Sequence, residues 1–215
     1  MVVGLLAVGC SSGDGGGAKA AEAVLPVAVS GPDPDVVPRG EEDRLKITPT
    51  PDVSAPVLEK VQYAIRQDVL TRAHVVGTTT ATCPAGITMK AGAVSQCTAT
   101  YEGVEIPYEV KISDSYKEGS SVFSYTRTPK KGLLVAKFVY NQLNEHYGPE
   151  SGRTDASKPA CQELPVAKAY DLGADADTGY TCQYWSEYGK NGKPGYVTLK
   201  VTTGASGGMG FQEVG

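Results

Sequence analysis

The chain has 215 residues, room for one or two domains. Its 20 lysines and arginines stand against 24 aspartates and glutamates, a formal net charge of −4. The longest basic run is Lys130-Lys131, so the electrostatic footprint of a nucleic-acid partner is missing. Neither a Gly-x-Gly-x-x-Gly turn opening a helix nor a Walker sequence occurs, and no cofactor is expected.

The first residues are apolar from Val2 to Gly9 and stop at Cys10. A bilayer-spanning helix needs about 20 apolar residues, so this run reads as part of a signal peptide. Ala7-Val8-Gly9-Cys10 resembles the lipobox of bacterial lipoproteins. The resemblance implies cleavage before Cys10, a diacylglyceryl group on its thiol, and an extracytoplasmic location on the cell membrane. It also accounts for an odd count of five cysteines. Residues 11–52 are rich in glycine and proline and lack aromatics, which predicts a disordered tether.

A helix is expected from Ser54, as N-cap, to Ala73, with Val57, Leu58, Val61, Ile65 and Val69 on one stripe. His74 lies at its end. Strands are expected over 75–83, 93–101, 104–113 and 121–126, with a tight turn at Gly103. Thr128 and Pro129 read as the cap and first residue of a second helix, whose stripe includes Leu134, Val135, Phe138, Val139 and Leu143. His146 falls near its end and Gly148-Pro149 stops it. Further strands are expected near 160–164, 179–187, 196–203 and 209–214.

The two halves count alike. From helix cap to first cysteine is 29 positions in one (Ser54 to Cys83) and 33 in the other (Thr128 to Cys161). From first to second cysteine is 14, then 21. Four cysteines permit three pairings, and the repeat favours Cys83–Cys97 and Cys161–Cys182. The expected fold is α+β: two tandem helix-plus-antiparallel-meander units, over 53–127 and 128–215, each with one short-range disulfide. Cys83-Pro84, Gly92, Cys97 and Gly103, following a helix, resemble the small cysteine-bridged domain of unknown function in many actinobacterial lipoproteins. The duplicated plan is also similar in architecture to the β-lactamase inhibitory proteins.

The candidate chemistry is sparse. The cysteine spacings are wider than those of zinc ligands, so no metal site is expected there. The two histidines, His74 and His146, sit at helix C-termini, where the helix dipole favours a cation. No Gly-x-Ser-x-Gly elbow occurs. The acidic stretch Asp171, Asp175, Asp177 lacks the glycine and glutamate of a calcium loop and reads as a solvated turn. Aromatics crowd the second hairpin: Tyr180, Tyr184, Trp185 and Tyr188, with Tyr125 from the first unit. Alternation places Tyr180, Cys182 and Tyr184 on one face and Trp185 on the other. The expected function is non-catalytic binding of an envelope component or secreted protein through an aromatic sheet face. The alternatives are an enzyme or accessory subunit acting on cell-envelope material, and a structural surface component.

Overall fold

The computed structural model describes residues 23–120, 122–173, 175–189 and 192–214. Cys10 and the signal-like run lie outside them. The fold is α+β, mostly antiparallel, with two helices and two disulfides.

Helix α1 (Val57–Ala73) buries Val61, Ile65, Val69, Leu70 and Ala73, a stripe at helical spacing. It begins three residues later than Ser54. Ser54 instead donates through its N–H and hydroxyl to Asp52, and Pro56 takes the capping position. Leu58, expected on the stripe, is exposed, and Leu70 is buried in its stead. The helix covers a four-stranded sheet ordered β2 (Thr79–Thr82), β3 (Val94–Tyr101), β4 (Val104–Ile112) and β5 (Tyr125–Pro129). Alternation along β3 and β4 turns Cys97, Ala99, Tyr101, Ile106, Tyr108 and Val110 inward. The turn between them puts Glu102 and Gly103 at positive φ, and glycine suits the second of these. The register sets Cys83 opposite Cys97, one step past Thr82 and Thr98, and the two form a disulfide.

The expected start of the second helix is corrected. Thr128 is in β5, paired with Glu109, and the chain continues as strand β6 (Lys131–Val135) before helix α2 (Ala136–Tyr147). The apolar run from Leu133 to Val135 suits either periodicity. Its burial decides. Leu133 and Val135 enter the core under α1, while Leu134 enters the core under α2. A strand sends successive side chains to opposite faces, so β6 serves as a wall shared by both cores. A helix could not divide three consecutive residues in this way.

Helix α2 covers a five-stranded sheet ordered β1 (Val27–Ala28), β7 (Ala156–Cys161), β9 (Ala176–Ser186), β10 (Gly195–Thr203) and β11 (Met209–Glu213). Cys161 and Cys182 are register partners and form the second disulfide. The Gln162 N–H donates to Thr181 O beside them, so they occupy a non-hydrogen-bonded site of the ladder, where side chains lie closest. Strands β7, β9, β10 and β11 follow α2 in the order in which β2 to β5 follow α1. The longer loop between the second pair of cysteines holds an extra strand, β8 (Ala167–Asp171), which leaves the sheet and pairs with β6.

The tether expected over 11–52 is corrected for its described part. Val27 and Ala28 pair with Cys161 and Ala160, Val36 bridges Val75, and the Val37 N–H donates to His74 O at 2.7 Å. A 3₁₀ turn at Glu42–Leu45 seats Leu45, whose carbonyl accepts from Gln67. Val36, Val37 and Leu45 are buried. Each such side chain contributes about 1.5–3 kcal/mol, which offsets the ordering entropy that composition alone predicted would win. The segment is therefore a strap stitched to both units. A further tie joins the units. Asp68 on α1 accepts from Arg72 at 2.7 Å and from the buried Tyr108 hydroxyl at 2.8 Å, and Arg72 also donates to Ser206 O in the β10–β11 loop.

Candidate functional site

The aromatic hairpin falls on two faces of the second sheet. Trp185 is opposite Tyr196 on β10 and Ser157 on β7. The Trp185 and Tyr196 rings meet edge to face at 5.1 Å, and Lys158 Nζ lies 5.4 Å from the indole centroid. This face points away from α2, and it continues through the exposed Thr198. Lys158 reaches Trp185 because β7 is irregular between Ser157 and Ala160, where Lys158 has positive φ.

Tyr184 points the other way. It is 3% exposed and belongs to the core under α2. Its ring stacks on Tyr147, the last residue of α2, at 4.2 Å, and its hydroxyl donates to Glu213 at 2.8 Å. Arg153 lies over both rings, 5.1 and 5.2 Å from their centroids, and its guanidinium donates twice to Asp155. Because α2 ends at Tyr147, the sheet beyond is uncovered. There a cavity of about 560 Å³ is lined by Arg153, Asp155, Tyr184, Glu213 and, at its lip, Tyr188, which is 76% exposed.

The aromatic residues around Cys182 thus fall on two faces, as alternation placed them: Trp185 with Tyr196 on one, and Tyr184 on the other, in a groove with Tyr188 whose lining also includes Tyr196. Tyr180 is half-buried under Lys168, whose Nζ is 4.9 Å from its ring. Tyr125 stacks on Phe123 at the edge of the first sheet and joins neither. Tyr196, Lys158, Arg153 and Glu213 were missed. Tyr196 carries the same alternation signal as Trp185, but only the β9–β10 register places the two together.

The groove is polar and fixed. Burial, reinforced by the Glu213 hydrogen bond, pushes the Tyr184 hydroxyl up to about 12, so it remains a donor at neutral pH. The hydrogen bond to Asp155 raises the Arg153 guanidinium, and the same pair lowers the Asp155 carboxyl. A general acid or base works best with a pKa near the operating pH, and these groups are moved away from it. They can hold a partner by hydrogen bonds and charge.

The two histidines, far apart in sequence, share a second cavity of about 430 Å³ at the junction of the units, with Arg39 and Glu145. His74 caps α1 in the left-handed conformation and stacks on Phe138 at 4.4 Å and 7°. Glu145 accepts from Asn141 and Gln142. No group of three or more histidine, cysteine or acidic side chains fit to hold a metal ion occurs among the described residues.

The His74 pKa lies below the ordinary histidine value. Burial is the main cause; Arg39 acts in the same direction, and contact with the Val37 backbone, Glu42 and Glu145 oppose it. The unfolded chain therefore takes up this proton first as pH falls. The stability His74 contributes is present above its unfolded pKa, about 6.5, and is lost as pH falls through the lower folded value. His74→Asn suits the left-handed backbone and removes the titration. Its urea midpoint is expected to depend less steeply on pH between about 7 and 5 than that of the parent chain. Parallel profiles would show that His74 does not titrate across unfolding.

No family model matches the chain, and no curated protein or solved structure matches it either.

Proposed function

We propose that the chain is a membrane-anchored extracytoplasmic lipoprotein whose folded part binds an envelope or secreted protein without catalysis. The binding surface is the open face of the second sheet, and the observation that carries this reading is the Trp185–Tyr196 pair with Lys158 beside it. Tryptophan and tyrosine dominate the energetics of protein interfaces, and a cation over an indole face suits a mixed apolar and charged partner. Partly exposed rings on a strand pair offer contact area at low entropic cost.

Two further observations support the location. Both disulfides fit an oxidising compartment. No helix among the described residues is long and apolar enough to cross a membrane; in the proposed reading the attachment is the lipid at Cys10. The strap begins to pair at Val27, 17 residues after Cys10, so the covalent reach is at most about 60 Å. That is a far shorter leash than a tether ending at residue 52. The histidine cleft gives the enzyme alternative little support, because His74 lies flat on Phe138 and Glu145 is taken by two amides.

The test is crosslinking and pull-down from intact cells with the full chain, Trp185→Ala and Tyr196→Ala. Loss of at least about tenfold of the recovered partner is expected for Trp185→Ala. Equal recovery with both variants removes this face from the interface. Cys10→Ser is expected to shift the protein out of the membrane fraction, and retention there would refute the lipid anchor.

A further inference from the structure

The strap crosses the junction between the units and separates two cavities. One is the histidine cleft. The other, of about 590 Å³, lies on the far side of Asp35 and Val36. Its floor joins Val75 and Tyr101 of the first unit to Val135, Ala136 and Leu164 of the second, all of them buried. Val76 and Val166 also line this cavity and are 62% and 71% exposed, although both are aliphatic. An isolated exposed valine is ordinary; two lining one apolar cleft make a continuous surface.

The polar atoms of this floor are already engaged. The Tyr101 hydroxyl donates to Val75 O at 3.1 Å, and Val166 O accepts from the Ala136 N–H at 3.2 Å. A molecule entering the floor meets ring and methyl surface, so the part of it seated there must be apolar. The rim is charged, and its charges are unequally committed. Arg44 pairs with Glu41 and Lys137 with Asp35, in both cases between largely exposed side chains. Such pairs contribute little, and an arriving anion can replace either carboxylate at small cost. Arg44 carries five donors, of which the Glu41 pair engages NH1. The Glu102 carboxylate, in contrast, accepts from the backbone N–H of Thr78 and so is tied to the residue before β2. Asp35 and Lys137 balance each other within the rim, whereas Glu41, the partner of Arg44, does not line the cavity, so an entering anion gains Arg44 donors without breaking a pair inside the rim.

We propose that this cavity is a second binding site and that its ligand is a single-chain aliphatic carboxylate. The alkyl chain lies between Val76 and Val166 on the Tyr101 floor, and the carboxylate takes Arg44 and Lys137. The volume falls among cavities that hold small ligands, about 300–1,000 Å³. Binding is non-covalent, and the ligand bridges the units where the strap already joins them.

Dodecanoate titrated calorimetrically into the full chain is the test. Saturable binding at a single site is expected. Val76→Asp combined with Val166→Asp puts two carboxylates at exposed lining positions and is expected to weaken binding at least about tenfold. An unchanged circular dichroism spectrum and unfolding midpoint confirm that the variant folds. Arg44→Ala is expected to weaken dodecanoate about threefold to tenfold and leave dodecanol unaffected. Absence of saturable binding, or equal affinity in the double variant, overturns the site. Equal affinity for dodecyltrimethylammonium overturns the assignment of a carboxylate head. Trp185, the single tryptophan, lies on the open sheet face, so its fluorescence reports on the protein-binding surface separately.

Discussion

Replacing Cys161 and Cys182 together by alanine is expected to lower the free energy of unfolding by about 3 kcal/mol, read from the urea midpoint. The bridge closes a loop of 21 residues. Most of its effect lies in the unfolded chain, whose ends it holds together. The native strands are already paired there, so the folded state changes little apart from the sulfur atoms lost from a site with no solvent exposure. The Cys83–Cys97 pair closes 14 residues, and its removal should cost nearly as much. Closure entropy grows only with the logarithm of loop length, so the two losses should differ by a few tenths of a kcal/mol. A loss below about 1 kcal/mol in the Cys161→Ala, Cys182→Ala variant would mean that residual structure already restrains the unfolded chain. The extra strand β8 lies inside the larger loop and pairs outside the sheet, with β6. Loss of the bridge is therefore expected to expose the Ala167–Asp171 backbone to hydrogen exchange before the rest of the second unit.

Alanine at Leu133 and alanine at Leu134 are each expected to cost about 3 kcal/mol, and to do so in different cores. Leu133 is 4% exposed and packs under α1; Leu134 is fully buried and packs under α2. Leu133→Ala should increase amide exchange first around Ile106 and Tyr108, and Leu134→Ala first around Leu199 and Val201. The cavities open on opposite faces of one strand, so the two changes separate the stability of the units by single adjacent substitutions. If both variants loosened the same set of amides, β6 would not be a wall between two cores.

Much of the first unit was legible in its residues. The α1 stripe apart from Leu58, the strands β3 and β4 despite their imperfect alternation, the turn at Gly103 and both disulfide pairings follow from local periodicity and spacing. These are properties of residues near one another in the chain. What misled was composition and short apolar runs. Pro and Gly between residues 23 and 52 read as a tether, yet Val36, Val37 and Leu45 all enter the core under α1. No window of sequence contains that core. Leu133 to Val135 satisfied the helical reading because that run is too short to separate the two periods.

The candidate site divides along the same line. Alternation alone put Trp185 and Tyr184 on opposite faces of a strand, and the structure keeps them there. The second step, that Tyr184 is roofed by Tyr147 while Trp185 is left open beside Tyr196 and Lys158, depends on where α2 ends and on the β9–β10 register. The cavity between Val76 and Val166 joins residues 90 positions apart and has no sequence signature. By itself, then, the sequence determined the class of fold, the staples within each unit and which residues alternate on each strand, because these are set by neighbours and by short loops. Tertiary structure decided the strap, the shared strand and both proposed binding surfaces, because each arises where segments distant in the chain bury apolar surface against one another.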